Sequence, residues 1–246
     1  MRIGGKLFLF LKRRLPKETF PFKTYLLRSS DPQNLLNSYQ PKEERLNVWS
    51  HAIGLVLSVV GLSLLILRAL DSKEAQVLVS SVIFGASMIL LYAASTFYHN
   101  CKTEGLRYKL KILDHISIYI LIAGTYTPFC LISLKGTTGW ILFGITWGFA
   151  LAGLILKLFF TGRFRTFSTL IYVLMGWLIV FAIEPLMHNL PPEALFWIIA
   201  GGISYTLGAV IYSIRSIKFN HAVFHLFVLI GTFCHFMAIY KYVLPE

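Results

Sequence analysis

Histidine residues with metal-binding chemistry lie close to long apolar segments of this sequence. His221 and His225 are four residues apart, so on a helix both imidazoles point from one face, one turn apart, and can reach a single ion. His99 stands at the end of a separate apolar segment. Three neutral imidazoles that leave a fourth position open are a typical ligand set of a catalytic zinc ion. The pattern indicates zinc-dependent chemistry, with an interfacial histidine pair as the alternative interpretation.

An acidic residue near these histidines suggests how a metal-activated water could be used. Asp114 need not be a ligand, since a carboxylate can hydrogen-bond the water, hold it in place and accept its proton. Ser95 is four residues before His99 and so shares its helical face. The alternative is an interfacial ion pair of Asp114 with Lys109 or Lys111, and a Ser95 hydroxyl bonded to its own helix.

The elements that position these residues follow from composition. The chain has 246 residues, of which 56% are hydrophobic and only 14% are charged, whereas about a quarter of the residues of a soluble domain are charged. A soluble domain and a disordered chain are therefore excluded. Cys101, Cys130 and Cys234 lie far apart in the sequence, which offers neither a disulfide framework nor a thiolate metal site.

Seven segments are long and apolar enough to cross a bilayer, which takes roughly 20 residues per helix. The sequence predicts an all-α integral membrane protein, a seven-transmembrane helix bundle with short connections. Glu184 and Pro185 interrupt the fifth span near its end. The predicted spans are residues 50–69, 77–98, 112–133, 139–160, 167–187, 194–213 and 221–243.

The remaining residues, 1–48, are predicted to form a basic cytoplasmic N-terminal segment ahead of a transmembrane domain of residues 49–246. The segment has ten Lys or Arg and four acidic residues, punctuated by prolines. Such a composition favours a solvated tail beside the membrane. A short interfacial helix held at an anionic leaflet is the alternative.

The distribution of positive charge predicts the orientation. Of the 23 Lys and Arg residues, 19 fall on the side of the membrane that holds the N-terminus. Positive residues accumulate in cytoplasmic loops, so the N-terminus is predicted to be cytoplasmic and the C-terminus outside. The net charge of +12 then reports orientation rather than nucleic-acid binding. We expect location in the cell membrane, membrane lipids as partners, and no nucleic-acid partner.

With this orientation, the ionisable residues in the spans cluster at one depth. His99 ends the second span, Asp114 opens the third, and His221 and His225 open the seventh, all near the cytoplasmic side. His51 lies at a similar level in the first span. Because ionisable groups within a bilayer are costly, such a cluster is a candidate functional site.

Other residues in the spans receive structural interpretations. Lys157 is expected to extend to the inner membrane surface. His235 is about 15 Å along the helix from His225, too far to share its ion. Gly144 and Gly148 are predicted to mark close helix packing.

Several motifs resemble one known family. They are the run Ser95–His99, Asp114, the run His221–His225, the segment Glu43–Gly54 and the segment Gly124–Pro128. Together they resemble the progestin and adipoQ receptor family, and most closely its bacterial hemolysin III branch. The resemblance covers about residues 43–246, and typical bacterial members lack the basic residues 1–42.

The resemblance implies a seven-helix bundle with a zinc ion near the inner leaflet. Its ligands would be His99, His221 and His225, while Asp114 would contact the zinc-bound water and Ser95 would lie just behind the ligands. The wider group includes proposed membrane hydrolases.

Three functions follow as hypotheses. The first is a zinc-dependent, ceramidase-like hydrolase of a lipid amide or ester bond. The second is a receptor or regulator of membrane homeostasis with structural zinc. The third is a pore-forming, cytolytic hemolysin, which the apolar outer halves of the spans disfavour because a pore needs a polar path.

Overall fold

The computed structural model describes residues 39–72, 74–161 and 165–245, which form helices and connecting turns with no strand among them. Because a bilayer core cannot satisfy exposed backbone groups, each span forms its hydrogen bonds internally as a helix. The helices are α1 (Pro41–Asp71), α2 (Ala75–Asn100), α3 (Glu104–Pro128), α4 (Thr137–Phe160), α5 (Arg165–Gly176), α6 (Ile183–Asn189), α7 (Pro192–Ser213) and α8 (Asn220–Ala238).

These helices make seven segments that are long and apolar enough to cross a membrane, which confirms the predicted all-α seven-helix bundle. α3 and α8 each end in a π-helical turn, Phe129–Ser133 and Ile239–Val243, and α5 and α6 together make the fifth span. The cytoplasmic position of the N-terminus stays a prediction, as does the domain boundary after residue 48. Most of the predicted basic tail lies outside the described residues.

α1 is longer than the predicted first span, and its start is polar. It begins at Pro41 rather than near residue 50, so the acidic residues Glu43 and Glu44 form its first turn. The face that is buried against the bundle carries Glu43, Asn47 and His51 at intervals of four residues. Trp49, on the other face, is 68% exposed. Apolar residues thus face the lipid, and polar residues face the interior.

The fifth span is interrupted, but the break precedes Glu184 and Pro185 rather than falling at these two residues, which lie inside α6. α5 ends at Gly176, and a 3-10 segment, Trp177–Ala182, separates it from α6. Pro185 has no N–H to donate to the carbonyl four residues earlier, so it fits the first turn of α6 but not the interior of one continuous helix through the fifth span. The break falls in the turns just before this proline.

Successive spans run in alternating directions and pack mostly against their neighbours in sequence, while α8 also packs against α1. This arrangement brings together the start of α1, the end of α2, the start of α3 and the start of α8. We call this end of the bundle the histidine end and the other the opposite end. The first and last spans are thereby brought to the same site.

Glycine packing differs from the predicted pattern. No heavy atom of the described residues lies within 4 Å of a Cβ built on Gly144 or Gly148, whereas a Cβ on Gly153 would meet the Tyr119 ring at 2.5 Å. The prediction for Gly144 and Gly148 is therefore wrong within this part of the chain. Spacing alone does not show which face of α4 is turned to α3.

Candidate metal centre

Three buried histidines meet at the histidine end of the bundle. His99 lies in the last turn of α2, and His221 and His225 lie in the first two turns of α8. Nε2 of His221 is 3.1 Å from Nε2 of His99 and 3.1 Å from Nε2 of His225. The ligand atoms of all three residues lie within 4.8 Å of one another. The sequence-predicted trio is thus close enough to hold one metal ion.

The nitrogen separations fit a small tetrahedral ion. Bonds of about 2.0–2.1 Å to such an ion place two ligand nitrogens roughly 3.3–3.4 Å apart, close to the 3.1 Å observed for each pair that includes His221. Imidazole suits zinc, copper, iron and nickel. The residues present therefore fit a metal ion with three imidazole ligands.

Side chains of α1 contact the other ring nitrogen of two of these histidines, and that of Asn47 is one of them, with its Nδ2 3.4 Å from His99 Nδ1. Glu44 Oε2 is 2.6 Å from His99 Nδ1, and Ser50 Oγ is 3.2 Å from His225 Nδ1. A further α1 residue, Glu43, accepts a hydrogen bond from the backbone N–H of His221 at 3.3 Å. The start of α1 therefore touches all three members of the cluster.

Arg107 connects Glu44 to the end of α2. It is only 4% exposed, although it lies in the first turn of α3. Its guanidinium pairs with the Glu44 carboxylate and lies over the Tyr98 ring at 4.8 Å. It also donates hydrogen bonds to carbonyl oxygens at the end of α2, those of Tyr98, His99 and Cys101.

His51 packs directly on the cluster through its ring. Its ring stacks on that of His225, with centroids 3.5 Å apart and planes 10° from parallel. It is 3% exposed, and neither ring nitrogen has a hydrogen-bond partner of ordinary geometry among the described residues. A buried polar group without a partner costs free energy.

Asp114 and Ser95 lie beside the histidines. Asp114 is buried in α3, within electrostatic reach of His99, and its Oδ2 lies 3.7 Å from His115 Nδ1. The Ser95 hydroxyl is fully buried close to this carboxylate, and among the residues that the structure describes it has no hydrogen bond of ordinary geometry. The structure thus brings both predicted residues to the site, with Asp114 outside the group of three histidines.

A cavity of about 490 Å³ runs from this site along the inside of the bundle. Its wall near the histidine end includes Asp114, His221 and His225, and its far wall includes Leu186 and Leu195. Most of its lining comes from α3, the fifth span, α7 and α8. Small-molecule sites typically have volumes of about 300–1,000 Å³ and apolar walls with a few polar groups. This cavity has both properties.

Two further polar residues line the same cavity. Lys157 is 2% exposed, and its Nζ donates to Ser168 Oγ at 2.6 Å, so the prediction that it extends to the membrane surface is wrong. A polar partner inside the bundle makes the interior position favourable. His235 stacks on Tyr205 and lies outside the group of three histidines.

Glu44 and Ser50 lie in the segment Glu43–Gly54, but the motif by itself predicts no site role for either residue. A signal for this region was present. Polar and small residues recur about every four positions from Glu43 in an otherwise apolar span, which marks the face turned to the bundle. Arg107 carries no such signal in the sequence, because it lies among other basic residues of a predicted connecting loop.

This fold and this site define a class of protein. It is a helical membrane protein with seven spans, in which buried histidines join the second span to the seventh. The chain belongs to the Haemolysin-III related family, whose model matches residues 39–236. It is therefore a multi-pass integral membrane protein.

Two bacterial relatives are similar over most of their length. Hemolysin-3 of Bacillus cereus is 46% identical over 204 residues, which are 83% of this chain and 93% of the relative. A Hemolysin-3 homolog of Bacillus subtilis (strain 168) is 43% identical over 201 residues, 82% of this chain and 94% of the relative. The human monocyte to macrophage differentiation factor is 27% identical over 212 residues, 83% of this chain and 87% of that protein.

Proposed function

We propose that this protein is a zinc-dependent membrane hydrolase that cleaves an amide or ester bond of a lipid. The observation that carries the proposal is the junction of two features: three imidazoles within reach of one ion, and an apolar cavity that opens onto them. His99, His221 and His225 would hold the zinc. When bound, zinc would supply Lewis-acid chemistry, polarising a carbonyl group and activating water.

Asp114 has the position of a general base. Its carboxylate lies on the cavity wall close to His99, where it can hold a water molecule by a hydrogen bond and accept its proton. Ser95, buried beside this carboxylate, would limit the orientations that the carboxylate adopts. The two residues together would aim the attacking water at the scissile carbonyl.

The cavity supports a lipid as the substrate. Ile198 and Val228 are among the apolar side chains that line it beyond the histidine end, so an acyl chain would lie there and place its polar linkage beside the histidines. Because the cavity lies between α3, the fifth span, α7 and α8, a lipid could enter sideways from the bilayer. Head groups and water would stay at the histidine end.

The decisive variant is Asp114→Asn, which preserves the size of the side chain and removes the base. Purified protein would be given two lipid probes with the same fluorescent acyl chain, one joined through an amide and one through an ester. We expect Asp114→Asn to keep its zinc and lose turnover of the cleaved probe. Asp71→Asn is the matched control, since Asp71 is exposed at the opposite end.

Two results would contradict the proposal. Turnover by Asp114→Asn at the wild-type rate would remove Asp114 from the mechanism. A zinc-loaded wild-type protein that cleaves neither probe would favour the second candidate, a receptor or membrane regulator with structural zinc. One observation favours that candidate: the three histidines join α2 to α8, so an ion there would also hold the two helices together.

A further inference from the structure

We infer that Glu44 is a positioning residue of the metal centre, which fixes the hydrogen of His99 on Nδ1 and turns the Nε2 lone pair toward the ion. This inference rests on the metal site of the proposed function and is independent of the hydrolytic step. The sequence motifs and the three-histidine cluster do not assign Glu44 a role.

The hydrogen bond between Glu44 and His99 determines which ring nitrogen can bind a metal. A carboxylate only accepts hydrogen bonds, so its oxygen 2.6 Å from His99 Nδ1 requires the hydrogen to be on Nδ1. In a neutral imidazole, Nε2 then carries the lone pair. That Nε2 is the atom that faces His221 Nε2 at 3.1 Å. The lone pair is thus directed into the cluster.

Glu44 is itself held in place, so that it can orient His99. The Arg107 guanidinium pairs with the second carboxylate oxygen of Glu44. Arg107 is in turn fixed by its hydrogen bonds to the carbonyl oxygens at the end of α2, including that of His99. The carboxylate therefore has one oxygen for Arg107 and one for the histidine. α1, α2 and α3 meet in this contact.

Ser50 supports His225 in the same way. Its hydroxyl donates to the backbone carbonyl of Asn47 at 3.1 Å, so its oxygen accepts from the Nδ1–H of His225 at 3.2 Å. The Nε2 lone pair of His225 then also faces His221. Metal-binding histidines usually donate their other N–H to such an acceptor, and loss of the acceptor typically costs about 10–100-fold in metal affinity.

The first test measures zinc affinity of the purified full-length protein by competition with a fluorescent zinc chelator. Glu44→Ala is expected to weaken zinc binding by about 10–100-fold. Glu44→Gln should weaken it less, because the amide oxygen still accepts the hydrogen bond but carries no charge. Ser50→Ala should also weaken it less, since a hydroxyl is a neutral acceptor. Glu104→Gln, which changes an exposed carboxylate at the same end, should leave the affinity unchanged.

The second test separates orientation of the ring from simple structural support. Nitrogen-15 chemical shifts of the metal-free protein report which ring nitrogen carries the hydrogen, and His99→Gln identifies the His99 signal. We expect the Nδ1–H form of His99 in the wild type and a mixture of both forms in Glu44→Ala. A lower unfolding temperature of Glu44→Ala with unchanged zinc affinity and an unchanged His99 signal would overturn the inference.

The outcomes also separate this inference from the proposed function. If the wild-type protein binds no zinc, the metal site is absent, and both the proposed function and the role of Glu44 are wrong. If the wild type binds zinc and Glu44→Ala binds it equally well, only the role of Glu44 is wrong. If zinc affinity depends on Glu44 but no lipid probe is cleaved, the positioning role stands and the hydrolase is wrong.

Discussion

The two ends of the bundle contain similar charged residues, which are buried at one end and exposed at the other. At the histidine end, Glu44 and Arg107 form a pair whose side chains are only 16% and 5% exposed, in contact with His99. At the opposite end, Lys135 Nζ and Glu74 Oε2 are 3.9 Å apart, with side chains that are 67% and 61% exposed. The comparison shows that burial and convergence distinguish the candidate site, since both ends contain acidic and basic residues.

The difference has an energetic reason. An exposed ion pair contributes about 0–1 kcal/mol because water competes for both partners. Removal of one partner from a buried pair costs about 3–5 kcal/mol, since an uncompensated charge remains inside. A network such as that of Glu44 and Arg107 is therefore expected to be rigid, and rigidity is what a metal centre requires of its surroundings.

The largest expected effect concerns the metal. His221→Ala removes the ligand whose Nε2 lies 3.1 Å from both other histidines, so we expect this variant to lose nearly all of the zinc bound by the wild type. His188→Ala is the matched control, because His188 is exposed at the opposite end. Elemental analysis of the purified proteins measures the difference. Equal zinc content in the two variants would show that the histidine end does not bind zinc in preference to the opposite end.

An arginine comparison should give the next largest effect. Arg107→Ala leaves Glu44 without its buried partner, and we expect it to lower the free energy of unfolding by about 3–5 kcal/mol. Arg68→Ala, which removes a hydrogen bond to the Pro245 carbonyl at the opposite end, should cost about 0.5–1.5 kcal/mol. Denaturation in detergent checks both values. Similar costs for the two variants would mean that the ends are equally rigid.

The smallest effect is expected at Glu74. Glu74→Gln removes the charge opposite Lys135, and because both side chains are mostly exposed, the free energy of unfolding should change by less than about 1 kcal/mol. The change should also shrink as salt is added, since exposed charges are screened. A loss as large as that of Arg107→Ala would show that exposure does not govern the contribution of these pairs.

The sequence was sufficient to predict the seven spans and to predict that the histidines meet at one depth. Long apolar segments have few alternatives to a membrane helix, so all seven were predicted correctly. Because successive spans alternate in direction, His99 at the end of one span and His221 at the start of another had to share a depth. Depth alone could not show that their Nε2 atoms would face each other, which depends on the rotation of α2 and α8.

The contacts around the histidines could not be predicted, for reasons that particular residues illustrate. The charges around Glu44 predict a solvated tail, because charged residues usually end a span, yet α1 begins at Pro41 and carries Glu44 into the bundle. Lys157 was expected to reach water, but Ser168, from the next span, accepts its hydrogen bond. Both outcomes depend on partners that are distant in sequence or lie on another helix.

The packing of α8 against α1 also bears on how the protein is made. A ribosome completes α1 first and α8 last, and α8 supplies two of the three histidines at the candidate centre. His99 and its support from Glu44 precede those histidines by more than one hundred residues of synthesis. A chain that stops before α8 therefore has a single histidine of the trio. A metal ion held by all three histidines would therefore report that synthesis has reached α8.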